Sequence, residues 1–301
     1  MAQGGVVPGH PACETSVLPS QGTTTLRHGI HFISGLPRSG STLLAALLRQ
    51  NPAVHAGITS PVSAMVGALL PEMSAGSEGS VFFDAAQRAA VLRGVFENYY
   101  HAVHPTRTVF DTSRGWTARL DLLGRLFPDT RVICCVRPLP WIIDSVERLI
   151  RRNPFELSKI FGFEPGGTVY SRAEGLMSPA GMIGFALNAM KQGMHGEGAH
   201  RMLLLPYDTL VGRPAEAMAA VYDFTGLPRF EHDFNQVSLE VGEFDARLGT
   251  PGLHEVRREV RLSERPTILP PDLWERFERG SIWRMPEFNT ARVAVACEPP
   301  G

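Results

Sequence analysis

The stretch GLPRSGSTLL, Gly35 to Leu44, decides how this chain is read. The apolar run HFIS (31–34) precedes it as a strand, and TLLAALLRQ (42–50) follows as a helix that stops before Asn51-Pro52. A strand, a glycine-containing loop and a helix start make the arrangement that binds phosphate. Backbone N–H groups point inward there, and the helix end adds roughly half a positive charge. Gly35 and Gly40 have the spacing of a P-loop, and Thr42 holds the Ser/Thr position that takes magnesium in nucleoside triphosphatases. The lysine that should follow Gly40 is Ser41. Arg38, inside the loop, can supply the cation instead.

Working outward, strands and helices alternate. RTVFD (107–111), RVICCVR (131–137) and RMLLLPY (201–207) are strands; the second has an unbroken apolar run between its terminal arginines, as in a strand buried on both faces. Helices are expected over 84–103, with apolar positions at 91, 92, 95, 96 and 99, over 118–127, over 140–152, and over 214–226, where Gly226 closes the last. This alternation predicts an α/β fold, a parallel sheet with helices on both faces. Ligands of such sheets collect at the carboxyl ends of the strands, which places the chemistry after Ser34, Asp111, Arg137 and Tyr207. Residues 1–27, rich in Gly, Pro, Ser and Thr, read as a flexible tail. One domain is expected over 28–290, with a Gly/Pro-punctuated lid or substrate loop at 153–185 and a C-terminal tail at 291–301.

Composition narrows the classes. Hydrophobic residues make up 44% and charged residues 20% of 301, as in a globular protein, and the net charge of −1 gives no footprint for nucleic acid. Only Lys159 and Lys191 are lysines among 29 basic residues. Arginine grips phosphate in a bidentate fork, so individual arginines must show whether the skew has a use. Cys13, Cys134, Cys135 and Cys297 form no C-x-x-C pair, so neither a disulfide framework nor a zinc site is expected, and no metal. No basic-plus-apolar signal and no apolar run of about 18 residues is present, so the expectation is a cytoplasmic protein without a membrane partner.

A second constellation is CVRPLPWIIDSVER, Cys135 to Arg148. Arg137 ends a buried strand, and Ser145 lies eight residues on, in the second turn of the next helix. A strand-end arginine and a helical serine could converge on one phosphate; a surface arginine with a filler serine is the plainer alternative.

Together, PRSGST (37–42) after a first strand and Arg137 with Ser145 after a later one resemble the sulfotransferase family, which uses 3′-phosphoadenosine 5′-phosphosulfate (PAPS) and releases 3′,5′-adenosine diphosphate (PAP). The likeness is greatest to the bacterial and tyrosylprotein-sulfotransferase-like branch, whose loop carries arginine where cytosolic members have lysine. It runs from about residue 30 to 280 and includes RLFP (125–128) and LPYDTL (205–210). The fold this implies is a P-loop NTPase-like three-layer sandwich. The resemblance implies that Pro37, Arg38, Ser39, Gly40, Ser41 and Thr42 cradle the 5′-phosphosulfate, with Arg38 on the bridging or sulfuryl oxygens. It implies that Arg137 and Ser145 hold the 3′-phosphate, that Tyr207 lines the site, and that Arg265, or else Arg257, Arg258 or Arg261, completes the nucleotide contacts. No metal is required, because arginine and helix-end amides can stabilise the charge that develops on the leaving phosphate.

The chain departs from that branch where a proton must be removed. Ile58 stands where the branch has a glutamate base, and Thr112 where it has a lysine, with Arg114 available to replace that charge. Asp111 and His55 are the candidate bases; Asp111 could equally be a structural partner of Arg38. The acceptor is left open as a small molecule or a peptide, through a hydroxyl or amine, and a homo-oligomer is compatible with the sequence. Two rivals stand: a P-loop kinase, with TVFDT as its magnesium-binding strand, and a non-catalytic nucleotide-binding protein.

Overall fold

Apolar residues at alternate positions on each strand serve two different cores, which makes the fold a three-layer sandwich. The computed structural model describes residues 29–103, 105–155, 167–290 and 293–297; the expected tail at 1–27 lies outside them. Six parallel strands form one sheet: β1 (Ile30–Gly35), β2 (Val54–Ala56), β3 (Thr108–Thr112), β4 (Val132–Val136), β5 (Met202–Pro206) and β6 (Ala294–Val295), in the order β2-β3-β1-β4-β5-β6. Phe32, Val132, Cys134, Met202 and Leu204 face one layer; Ile33, Ile133, Cys135, Leu203 and Leu205 face the other. Side chains on a strand alternate between faces, so the adjacent cysteines Cys134 and Cys135 are buried in opposite cores, and burial raises both thiols' pKa.

The first layer holds α2 (Val62–Glu72), α3 (Ala85–Tyr99), α4 (Leu120–Leu126), α5 (Leu139–Arg152), α6 (Val169–Met177) and α7 (Met182–His195). The second holds α1 (Ser41–Leu48), α8 (Tyr207–Gly212) and α9 (Pro214–Thr225), whose C-terminal Gly226 is left-handed at φ 71 as the sequence anticipates. Two further helices, α10 (Gly242–Arg247) and α11 (Pro271–Glu278), follow.

Three expectations change. Residues 54–72, to which the sequence pattern assigns no strand or helix, contain β2 and α2. The 153–185 lid is largely helical where described: α6 occupies Val169–Met177 and α7 starts at Met182. Its glycines mark a tight corner, since a Cβ on Gly181 would fall 2.1 Å from the Gly175 carbonyl. The C-terminal tail contributes β6, held by Ala296 N–H donating to Leu204 at 2.9 Å beside the β5 register.

Candidate functional site

The loop after β1 is shaped by backbone that side chains cannot replace. Gly35 has φ 109, and a Cβ there would fall 2.2 Å from the Cys135 carbonyl, because β1 and β4 close on each other while Leu36 N–H donates to that same oxygen at 2.9 Å. Arg38 itself is left-handed, φ 56, as is Gly40, φ 96, which leaves room for Tyr207 and Leu210. α1 starts at Ser41 with no side chain capping it. Its first-turn N–H groups are therefore presented to the cavity, lined here by Pro37, Arg38, Gly40, Ser41 and Thr42. Ser39 is buried, its hydroxyl turned back to Pro37 O at 3.2 Å.

β1 and β4 are neighbours, yet β1 leads into α1 on one face and β4 into α5 on the other. Chains departing in opposite directions leave a crevice at the strand ends. Arg38, Arg137 and Ser145 meet there. Arg38 Nε donates to Ser145 Oγ at 3.0 Å and its Nη1 to the Leu253 carbonyl. Arg137 Nη1 donates to Arg38 O at 3.2 Å, its guanidinium lies 4.1 Å from the Tyr207 ring centre, and its Nε is buried without a partner among the described residues. Burial lowers the pKa of both arginines, and their mutual repulsion lowers Arg38 further. Two guanidinium groups crowded together with an unused donor are chemically suited to an anion.

Arg265 reaches the same wall from the far end of the chain. It pairs with Asp144 and lies over Trp141, 5.2 Å from the ring centre. Burial pushes the Asp144 carboxyl up, but Ile268 N–H at 2.8 Å, Arg148 at 3.0 Å and Arg265 outweigh it and hold the pKa below the usual value. Asp144 therefore fixes where Arg265 sits. Arg257 and Arg261 also line the cavity, whereas Arg258 is turned to Gln236.

The β2–β3 half differs. Asp111 is fully buried and accepts from Ser60 Oγ at 2.5 Å, Tyr100 OH at 2.5 Å and Trp116 Nε1 at 2.6 Å. Burial raises its pKa against the pull of these three donors. Arg38 is not among its partners, so the structural pairing considered for Asp111 is replaced by this triad. Of the three donors only Ser60 also lines the cavity; Ile58 is there too, while Asp111 and His55 are not. His55 instead packs edge-on to Tyr100, its ring centre 5.6 Å away, and burial lowers its pKa. Thr112 Oγ1 donates to Gly57 O at 2.7 Å and so joins the two strand ends. Arg114 and Arg119 project into this half of the cavity, Arg119 anchored by Nη1 on Ser63 O at 2.9 Å.

The whole cavity encloses 1400 Å³. Four of its features escape the sequence: Ser60, Arg119, the Asp144 anchor, and His254, whose Nδ1 lies 2.5 Å from buried Asp245. Asp144 carried a faint signal, four residues before Arg148 and next to Ser145. The others depend on loops that only tertiary packing brings together. Among the described residues no three His, Cys, Asp or Glu converge as a metal site, and no helix is long and apolar enough to cross a membrane.

Residues 31–232 match the family model described as "Sulfotransferase family". Similar solved structures include the sulfotransferase domain from the curacin biosynthetic pathway, at 21% identity over 68% of this chain and 75% of that one, TM-score 0.47. Another is the sulfotransferase domain from the Synechococcus PCC 7002 olefin synthase, at 20% identity over 83% and 94%, TM-score 0.43. A third is sulfotransferase STF9 from Mycobacterium avium, at 14% identity over 86% and 77%, TM-score 0.43. No curated protein matches the chain.

Proposed function

The chain belongs to the sulfotransferase family, and from that premise we propose that it moves a sulfuryl group from PAPS to a hydroxyl or amine acceptor, releasing PAP. The observation that carries this is the β1–β4 crevice, where Arg38, Arg137 and Ser145 converge beside the uncapped start of α1. The unused Arg137 Nε is the orphaned donor that a phosphate oxygen would satisfy. In this proposal Arg137 and Ser145 hold the 3′-phosphate, and residues 37–42 the 5′ end. Arg38 links the two, because the structure ties it to Ser145 while its backbone belongs to the loop. Tyr207 and Arg265 complete the nucleotide wall.

When bound, the donor supplies a sulfuryl group on a phosphate leaving group. The α1 amides and Arg38 stabilise the negative charge that the phosphate gains as its bond to sulfur breaks and the acceptor's bond to sulfur forms. Ser60 takes the acceptor's proton on Oγ and passes its own to Asp111 Oδ2, 2.5 Å away. Val62 N–H donates to the same hydroxyl at 3.1 Å, which leaves one lone pair for the acceptor. Burial makes the Asp111 carboxylate a stronger base than one in water. Arg114 supplies positive charge on the acceptor side.

A kinase would need Asp111 beside a metal in the cavity; its carboxylate is enclosed by Ser60, Tyr100 and Trp116 instead. Thermal denaturation tests the proposal. PAP at saturating concentration should raise the Tm without magnesium, by about 3 kcal/mol of linkage at 100 times its Kd, while ADP, GTP and ATP–magnesium should do less. Stabilisation by a triphosphate with magnesium alone would overturn it.

A further inference from the structure

The two halves of the cavity differ in what balances their charge. On the β4 side acidic side chains stand among the arginines: Arg265 and Arg148 share Asp144, and Asp208, Glu255, Glu259 and Glu264 are in the lining. On the β2–β3 side the lining runs through Ile58–Gly67 and Thr112–Arg119, and its only charged members are Arg114 and Arg119. The rest of that wall is largely small: serine, threonine, glycine and alanine. Neither arginine has an ion pair, and Arg114 has no hydrogen bond, among the described residues. No carboxylate acts on either. Arg114 is exposed and Arg119 half-buried, so an oxyanion can reach both without displacing a counter-ion. Asp111, the carboxylate nearest in sequence to Arg114, is already engaged by its three donors.

From this asymmetry we infer that the acceptor is itself an anion: a small hydroxyl compound bearing a carboxylate or phosphate, held by Arg114 and Arg119 with its hydroxyl toward Ser60. The inference rests on the donor site proposed above, since that site assigns the β2–β3 half to the acceptor. The arginine fork matches either oxyanion bidentately. Ser60, Arg114 and Arg119 line the same cavity, and the side chains beside them are small.

The experiment uses the full chain saturated with PAP and measures binding by calorimetry. The probes are 4-hydroxybenzoate against 4-hydroxybenzamide, 3-hydroxybutyrate against 3-hydroxybutyramide, and 4-hydroxyphenyl phosphate as the phosphate arm. The expected result is at least about tenfold tighter binding of the charged member of a pair, equivalent to about 1.4 kcal/mol. That preference should shrink toward parity in Arg119→Ala and Arg114→Ala, with PAP affinity unchanged. The phosphate arm separates the two oxyanions. No preference for the charged member in either pair, absence of binding included, overturns the inference. So does an Arg114→Ala effect confined to the ratio of PAPS to PAP affinity, which would assign that arginine to the sulfuryl group. PAP binding is measured first and separately, so failure of the donor site shows as lost PAP binding, and failure of this inference as lost charge preference with PAP bound.

Discussion

The β4 wall and the β3 wall of the cavity solve the problem of buried charge in opposite ways. Behind the β4 wall, Asp144 is fully buried, but Arg148, Arg265, Thr267 and the Ile268 amide surround it, and its pKa falls. Behind the β3 wall, Asp111 is fully buried with no cation, held only by neutral donors, and its pKa rises. A paired carboxylate is a positioning device, since its charge is spent on its partners. An unpaired one retains its appetite for a proton. The same contrast runs through the lining, where acidic side chains accompany the arginines on the β4 side and none accompanies Arg114 and Arg119 along residues 58–67 and 112–119.

The largest test strikes what both walls share. Gly35→Ala places a methyl group against the Cys135 carbonyl at a positive φ, so β1 and β4 must separate. It should cost about 3 kcal/mol or more and abolish PAP binding, as read by urea denaturation and thermal shift. Retained stability with normal PAP binding would show that the crevice does not depend on this close approach. Next comes Arg137→Ala, which removes the nucleotide-facing guanidinium and should weaken PAP binding by about 2 kcal/mol, roughly 30-fold, at unchanged Arg119 function. Arg38→Ala should additionally lower conversion of PAPS to PAP at saturating PAPS, since its backbone belongs to the loop and its side chain to the crevice.

The contrast between the carboxylates has its own signature in pH. Asp111 has a raised folded-state pKa, so the folded protein binds that proton more tightly than the unfolded chain does. Its contribution to stability is greatest below the ordinary carboxylate value and declines as pH rises through the folded one. Asp144, depressed, runs the other way: its contribution is present above the ordinary value and lost as pH falls. Asp111→Asn should therefore gain on the wild type in urea midpoint as pH rises from 4 to 7, whereas Asp144→Asn should trail the wild type by a constant margin there and close the gap only as pH falls below about 4. Parallel slopes for the two would erase the distinction. The smallest effect on stability is Ser60→Ala, which gives up the bonds to Val62 and Asp111 and should cost about 1 kcal/mol. PAP binding should be untouched while turnover falls by about a hundredfold or more; unchanged turnover would remove Ser60 from the proton path.

The sheet and the phosphate loop were legible because local rules govern them. Alternation of apolar runs with helices gave β1, β3, β4 and β5 to within a residue or two, and the spacing of Gly35, Arg38 and Gly40 gave a loop that the backbone angles bear out. β2 and α2 were not legible: VHA is too short to carry a period, and the helix holds Gly67 and Pro71. The helices inside the lid's span were not legible because glycines that pack α6 against α7 look, in sequence, like glycines of a loop. Asp111 was noticed, but its partners Ser60, Tyr100 and Trp116 come from three separate segments with no shared spacing. His254 and Asp245, nine residues apart in an irregular segment, gave no pattern at all.

The shortest strand has a consequence of a different kind. Ala294–Val295 lies along the outer side of β5, which would otherwise present the backbone of an apolar run, Met202 to Leu205, to solvent. Sheet borders of that sort recruit other chains. Ala294 and Val295 thus cover that border, and a chain cut at residue 290 should keep its crevice yet precipitate at concentrations the 301-residue chain tolerates.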